Sequence, residues 1–90
     1  KAEETVNITK TKINGKLINI SGVVRDVQAT PIEHVEIYST GNAQVVAVTD
    51  KYGKYAAKVA SDDVLVFKKS GFTNVSREVN GKKTINLKMQ

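Results

Sequence analysis

Apolar side chains in this chain alternate with polar ones and do not recur at helical spacing. The clearest run is Ile18, Ile20, Gly22 and Val24, in which every second residue faces one side of a strand. The same rhythm returns in later sets: Val35 and Ile37; Tyr55, Ala57 and Val59; Leu65 and Phe67; Val75 and Val79; and Ile85, Leu87 and Met89. This period of two predicts an all-β protein.

Short turn signals separate these runs. They are Asn14-Gly15, Gly41-Asn42, Asp50-Lys51-Tyr52-Gly53, Asp62-Asp63, Ser70-Gly71 and Asn80-Gly81. About seven short strands, punctuated about every 8 to 12 residues, are typical of a two-sheet antiparallel sandwich. The pattern therefore predicts such a sandwich over residues 17–90, with a closed barrel as the structural alternative.

Two segments depart from simple alternation. Residues 6–13, followed by Asn14-Gly15, suit a strand paired with the one that starts near Leu17, but their Thr, Asn and Lys content suits a leader equally. We therefore treat residues 1–16 as a leader or an extra edge strand. Residues 45–48 are apolar at successive positions, which favours a central strand covered on both faces, or one with a bulge. We expect this segment to lie inside.

The alternation also predicts which side chains meet between the two sheets. Aromatic bulk is needed to span a layer about 10 Å thick, so we expect Phe67 near the centre. The predicted core consists of Ile20, Val24, Val35, Ile37, Tyr55, Val59, Leu65, Phe67, Val75, Ile85 and Leu87.

Composition narrows the classes of protein that this chain can represent. With 90 residues and no cysteine, it suits one thin-cored domain without disulfides, thiolate nucleophiles or Cys-based zinc sites. The net charge is +5, but 12 of the 14 basic residues are scattered lysines, which favours protected β edges over a nucleic-acid surface. No apolar run reaches the length of a membrane span. The first residue is Lys, which we interpret as a trimmed or excised start. The absence of a targeting signal is therefore not used to infer where the protein is located.

One stretch, residues 20–72, resembles a known family. In order it contains Ile-Ser-Gly-Val-Val-Arg-Asp at positions 20–26, then Pro31-Ile32, Val35-Glu36-Ile37, Thr49-Asp50, Gly53-Lys54-Tyr55, Asp63-Val64-Leu65-Val66-Phe67 and Gly71-Phe72. This order and spacing is similar to that of the carboxypeptidase regulatory-like domain. The resemblance extends to Leu87, about three quarters of the chain. It implies a Greek-key sandwich of the transthyretin (prealbumin) type.

The residues that carry the resemblance also have a direct physical interpretation. Gly22 permits close backbone approach, and Asp26 with Pro31 turns the chain out of the first strand. Thr49-Asp50 with Gly53 closes a tight turn that needs a side-chain acceptor and a positive φ. These turns are individually common, so their order and spacing carry the specificity.

Two positions depart from the family pattern. Ala29 stands where the family usually has a turn glycine, and His34 stands where a small residue, often glycine, precedes Val35. We expect the first loop to differ in its backbone detail. Neither change is expected to disturb the sandwich.

No residue pattern here indicates a catalytic, cofactor or metal site. His34 is the only histidine, so a histidine metal cluster is excluded. A triad with Asp26 or Asp50 stays open on composition, but no serine lies in a nucleophile elbow, and we interpret His34 as a surface imidazole. Asp62-Asp63 lacks a calcium-loop pattern and is interpreted as a solvated turn. Asp50 is expected to accept hydrogen bonds from its own loop.

Tyr38 and Tyr52 are the candidate ligand or partner contacts. Tyr38 falls on the opposite face of its strand from Val35 and Ile37, and Tyr52 occupies a turn, so both are expected to be exposed. Exposed aromatic side chains often mark protein or sugar contacts. The competing interpretation is that the two rings cover lysine stems or packing gaps.

The family resemblance also implies a function. Such domains form amino-terminal extensions of outer-membrane, energy-coupled (TonB-dependent) receptors that import glycans or other nutrients, and accessory modules of zinc carboxypeptidases. We therefore expect a non-catalytic, extracytoplasmic structural or protein-interaction module in the periplasm, at the outer membrane or on the cell surface. The expected partner is a protein, either the receptor plug of the same polypeptide or a surface lipoprotein.

Two alternatives to the receptor extension stay open. One is an accessory sandwich of a multidomain surface protein or carboxypeptidase. The other is a weak carbohydrate-binding module, which depends on Tyr38 and Tyr52 because sugar rings stack on flat aromatic faces. We expect neither nucleic-acid binding nor membrane insertion by this domain, and no cofactor.

Overall fold

The structure of this chain, a computed structural model, describes residues 16–90. It contains seven strands: β1 (Leu17–Asp26), β2 (Glu36–Ser39), β3 (Gln44–Val48), β4 (Lys54–Ala60), β5 (Val64–Lys68), β6 (Val75–Glu78) and β7 (Leu87–Met89). The predicted leader or edge strand over residues 1–16 lies outside the described residues, except for Lys16.

The strands form two sheets, in the orders β4-β1-β7 and β3-β2-β5-β6. The described residues contain no helix, so the predicted all-β architecture of about seven strands in two sheets is confirmed. One pair differs from an all-antiparallel arrangement, because β7 runs parallel to β1. The chain crosses from β6 in one sheet to the edge of the other before β7 starts, and this crossover lets β7 enter parallel to its neighbour.

The hydrophobic core lies between the two sheets. Ten of the eleven predicted core residues are buried, and the remaining one, Val75, is half-buried against them. Phe67 is fully buried and packs edge-on against Tyr55, with ring centroids 5.6 Å apart and planes inclined at 73°. Alternation therefore predicted which side of nearly every strand faces inward.

Ile32, Val79 and Met89 are also buried, although the predicted core did not include them. Ile32 belongs to no strand, so no alternation marks it. Its backbone N–H donates to the carbonyl oxygen of Val24 at 3.0 Å, which draws the loop after Pro31 against the sandwich. The loop thereby contributes an apolar side chain to the end of the core.

The prediction that residues 45–48 lie inside holds for Val46 and Ala47, which pack against the core, and is wrong for Val45 and Val48. They belong to β3, which is an edge strand, and the first and last valines of this segment are 45% and 48% exposed. The register shifts between Ile37 and Tyr38 of β2, which leaves Val46 without a partner on that strand. The alternative interpretation, a bulge, therefore explains the run of apolar residues.

Asp26 and Asp50 close two turns in the same way. In each case the Oδ1 atom accepts backbone N–H groups from the residues two and four positions later, at 2.8–3.0 Å. The aspartate side chain thus accepts hydrogen bonds from backbone N–H groups within the turn and stabilises it. The prediction that Asp50 accepts from its own loop is confirmed.

Asp63 does not lie in a solvated turn as predicted, because it is only 2% exposed. Ser39 Oγ donates a hydrogen bond to Asp63 Oδ2, and the backbone N–H groups of Gly41 and Val64 donate to Oδ1 at 3.1 and 2.7 Å. A buried carboxylate needs such donors to replace water. Asp63 thus ties the β2–β3 turn to the start of β5.

Gly22 of β1 and Tyr55 of β4 both contact the carbonyl group of Ile85, which precedes β7. A Cβ atom at Gly22 would clash with the carbonyl group of Ile85, so only glycine allows the backbones to approach this closely. Tyr55 Oη donates a hydrogen bond of 2.6 Å to the same carbonyl oxygen. The expected close approach at Gly22 is confirmed.

The two departures from the family pattern both have left-handed backbones. Ala29 has a φ of 68° and His34 a φ of 65°. This conformation costs an L-residue about 1–2 kcal/mol, whereas glycine adopts it without a steric penalty. The first loop therefore keeps a backbone that glycine would favour, while other residue types occupy it.

Replacing His34 with glycine should stabilise the fold. The relief of left-handed strain exceeds the added flexibility of the unfolded chain, so we expect a gain of about 0.5–1 kcal/mol in the free energy of unfolding. Urea denaturation measures this difference. The matched control is Gln28→Gly, because Gln28 is not among the residues with positive φ. A His34→Gly variant that loses as much stability as Gln28→Gly would contradict the strain argument.

Burial raises the pKa of Tyr55 from 10.0 to about 12. Because the folded state holds this proton more tightly than the unfolded state, Tyr55 contributes stability that is complete below about pH 10 and lost as the pH rises towards about 12. Chemical denaturation across this range should show a steeper loss of stability for the wild type than for Tyr55→Phe. Equal slopes for the two proteins would refute the assignment.

Candidate functional site

The outer face of the four-stranded sheet carries an apolar row. Tyr38 of β2 points away from the core, opposite to its buried neighbour Ile37. The register places it between Val45 of β3 and Val66 of β5. Directly paired residues have Cβ atoms about 4.5–5.5 Å apart, so these three side chains lie side by side. Tyr38 and Val66 are half-buried, and Val45 is exposed.

A second row beside it contains charges. Glu36 of β2 is paired with Val48 of β3 on one side and with Lys68 of β5 on the other. The Lys68 Nζ atom lies 4.9 Å from the centroid of the Tyr38 ring, which is a cation–π distance. We call the two rows together the Tyr38 face; its members are Glu36, Tyr38, Val45, Val48, Val66 and Lys68.

The edge strand β3 borders the Tyr38 face. Among the described strands β3 pairs with β2 alone, so the backbone groups on its other side have no strand partner. Gln44–Val48 carries no charged residue, whereas each of the other edge strands, β4, β6 and β7, carries at least one Lys or Arg. Charges at an edge oppose pairing with a further strand. β3 is therefore the edge that is best suited to accept one.

A shallow groove opens at one end of the Tyr38 face. It has a volume of about 530 Å³, and its lining includes His34, Glu36, Lys68 and Phe72. His34 is exposed, as predicted, and its Nε2 atom lies 3.6 Å from Glu33 Oε2. The groove combines the half-buried ring of Phe72 with the acidic side chain of Glu36 and the basic side chain of Lys68.

The structure does not bring Tyr38 and Tyr52 together. Tyr38 pairs with Val45 near the start of β3, whereas Tyr52 lies in the turn after the far end of that strand. Tyr52 is 58% exposed, and the Lys51 Nζ atom lies 5.2 Å from its ring centroid. Each candidate tyrosine thus has its own lysine at a cation–π distance, and the two belong to different surfaces.

Val45 and Val66 flank Tyr38 on this face, but the sequence alone does not predict them as contact residues. The available signal was the unbroken apolar run Val64-Leu65-Val66-Phe67. In a strand such a run places apolar side chains on both faces, and only one face of this sheet meets the core. The missing information was the register, which determines that Val66 lies beside Tyr38.

Ser39 and Asp63 form a serine–carboxylate pair, but their surroundings suit a structural role. Both side chains are buried, with exposures of 0% and 2%. The Ser39 hydroxyl donates to the carboxylate and also accepts the backbone N–H of Asn42 at 3.2 Å. A nucleophile must reach a substrate, and this oxygen does not face solvent.

Two further observations concern metals and membranes. Within residues 16–90, no three His, Cys, Asp or Glu side chains lie close enough together to hold a metal ion. The same part of the chain contains no helix with the length and hydropathy of a membrane span.

No family model matches the chain, and no curated protein matches it either. The resemblance of residues 20–72 to the carboxypeptidase regulatory-like domain therefore stays a prediction. The site is accordingly defined by its geometry, which is an apolar row, a neighbouring open edge and a mixed-charge groove.

Proposed function

We propose that this chain is a non-catalytic, extracytoplasmic interaction module that docks a protein partner through the Tyr38 face. The observation that carries the proposal is the row of Val45, Tyr38 and Val66 on an outer sheet face that no other described element covers. Protein interfaces are enriched in aromatic side chains at their centres, with polar groups around them. Glu36 and Lys68 supply such a polar border.

The uncharged edge of β3 extends the docking surface. A partner strand that pairs with β3 forms backbone hydrogen bonds, while its side chains pack on the neighbouring row. Val45 and Val48 are the two β3 side chains that project beside such a strand, and both are about half exposed. Strand addition supplies affinity, and the fit around Tyr38 supplies selectivity.

The parent protein in this proposal is an outer-membrane receptor of the energy-coupled, TonB-dependent class, with this chain as its amino-terminal extension. The resemblance of residues 20–72 supports this placement, and the receptor plug or a surface lipoprotein is the partner. The alternative parent is a zinc carboxypeptidase or another multidomain surface protein. The gene around this segment decides between them: a plug-and-barrel pattern downstream supports the receptor, and a carboxypeptidase domain upstream supports the alternative.

The carbohydrate hypothesis has less support. Sugar rings stack on open aromatic faces, but Lys68 and Lys51 lie over the rings of Tyr38 and Tyr52. A sugar would first have to displace these ammonium groups. Tyr38 is paired with Val45 near the start of β3, whereas Tyr52 lies in the turn after the end of that strand, so the two rings do not form one platform.

Removing the centre of the Tyr38 face should weaken partner binding. Titrating the chain with the isolated plug domain of its parent, by calorimetry or NMR, measures the affinity. We expect Tyr38→Ser and Val45→Lys each to raise the Kd at least about tenfold, because Tyr38 is the centre of the apolar row and Val45 joins that row to the open edge of β3. Both are partly exposed positions, so the variants should remain folded.

The matched control is Tyr52→Ser, which removes an exposed tyrosine from a different surface. Its affinity should equal that of the wild type within about twofold. If Tyr52→Ser weakens binding and Tyr38→Ser does not, the docking surface lies at the β3–β4 turn and the proposal is wrong.

A further inference from the structure

The outer face of the three-stranded sheet has a different chemistry from the Tyr38 face. It carries four exposed cations at positions that alternate with more buried ones: Arg25 of β1, Lys54 and Lys58 of β4, and Lys88 of β7. We call these four residues the basic face. The other exposed outward positions of the three strands are Leu17, Asn19, Ser21 and Ala56, with Val23 half-buried. No outward position on these described strands carries a carboxylate.

The register concentrates this positive charge. Arg25 is paired directly with Lys88 across β1 and β7, and Val23, two residues before Arg25 on the same face, is paired with Lys54. Like charges directly opposite each other destabilise a sheet. None of the four cations forms an ion pair with another residue in the described part of the chain. Within residues 16–90, ion pairing therefore does not neutralise the four charges of this face.

We propose that the basic face binds the anionic headgroup surface of a lipid bilayer, peripherally and without insertion. Lysine is a point charge on a flexible stem, which suits headgroup phosphates that have no fixed arrangement. Leu17, at an outward position of the same sheet, is 65% exposed and adds an apolar contact at the membrane interface.

Other polyanions fit this face less well. Protein interfaces are depleted in lysine and enriched in aromatic residues, whereas three of these four cations are lysines and the outward positions of β1, β4 and β7 contain no aromatic residue. Single-stranded nucleic acids are bound by stacking on aromatic side chains, which are equally absent from these positions. The basic face and the Tyr38 face belong to different sheets, so the lipid proposal and the docking proposal can fail independently.

Vesicle sedimentation tests the proposal with the intact 90-residue chain. The vesicles consist of phosphatidylcholine alone, or of phosphatidylcholine mixed with an equal amount of phosphatidylglycerol. We expect binding only to the anionic vesicles, with an affinity that falls as salt is added. Each cation near an anionic surface strengthens partitioning by about fivefold, so Lys54→Glu/Lys58→Glu should reduce it by at least about tenfold.

The matched control is Lys68→Glu/Lys69→Glu, which has the same net charge but alters the other sheet. It should keep the partition coefficient within about twofold of the wild type. Equal losses in the two double variants would show that net charge alone drives binding, and no binding of the wild type to anionic vesicles would refute the proposal outright. Tighter binding of the wild type to a short DNA duplex than to vesicles at the same salt would assign the face to nucleic acid instead. Thermal unfolding confirms that both variants are folded.

Discussion

The close approach of two backbones at Gly22 determines the rest of this fold. Ser21 N–H donates to the carbonyl oxygen of Lys83 at 2.9 Å, and Ile85 N–H donates to the carbonyl oxygen of Ser21 at 2.9 Å. These bonds hold the chain before β7 against the middle of β1. A side chain on Gly22 would occupy the position of the Ile85 carbonyl group. The absence of a Cβ atom therefore allows β7 to complete the three-stranded sheet.

This junction also sets the inside and outside of the three-stranded sheet. Ile85 enters the core beside Tyr55, whose hydroxyl satisfies the buried Ile85 carbonyl. Because side chains alternate along a strand, fixing Ile85 inward also places Leu87 inward and Lys88 outward. The pairing of Arg25 with Lys88 follows from the same register. A slip of one residue would bury a cation and expose the core.

Alternation was enough to predict most of the core, but not the elements that depend on pairing. The apolar run at residues 45–48 is compatible with a covered central strand and with a bulge, since both produce the same pattern in sequence, and the register shows the bulge. The sequence predicts a solvated turn at Asp63 because its partners, Ser39 at the end of β2 and the Gly41 N–H in the next turn, are distant in sequence. Alternation within β2 is enough to predict that Tyr38 is exposed. Its neighbours Val45 and Val66 are determined by the pairing of strands, which the pattern of a single strand does not reveal.

Two sheets with unlike outer faces give the molecule two chemically distinct surfaces. The Tyr38 face combines apolar side chains with an uncharged edge, and the basic face combines lysines with small polar residues. Both faces depend on the same core. Side chains alternate along each strand, so the residues buried in the core determine which residues lie on the outer face. Loss of the junction at Gly22 would therefore disturb both surfaces.

The most direct test of this account is the stability of Gly22→Ala. The added methyl group meets the Ile85 carbonyl, which is backbone and cannot rotate away, so the chain before β7 must shift away from β1. We predict a loss of about 3 kcal/mol or more in the free energy of unfolding, measured by urea denaturation. Ser21→Ala, at the neighbouring exposed position, should change it by about 0.5 kcal/mol or less. A Gly22→Ala protein as stable as the wild type would contradict the central role of this contact.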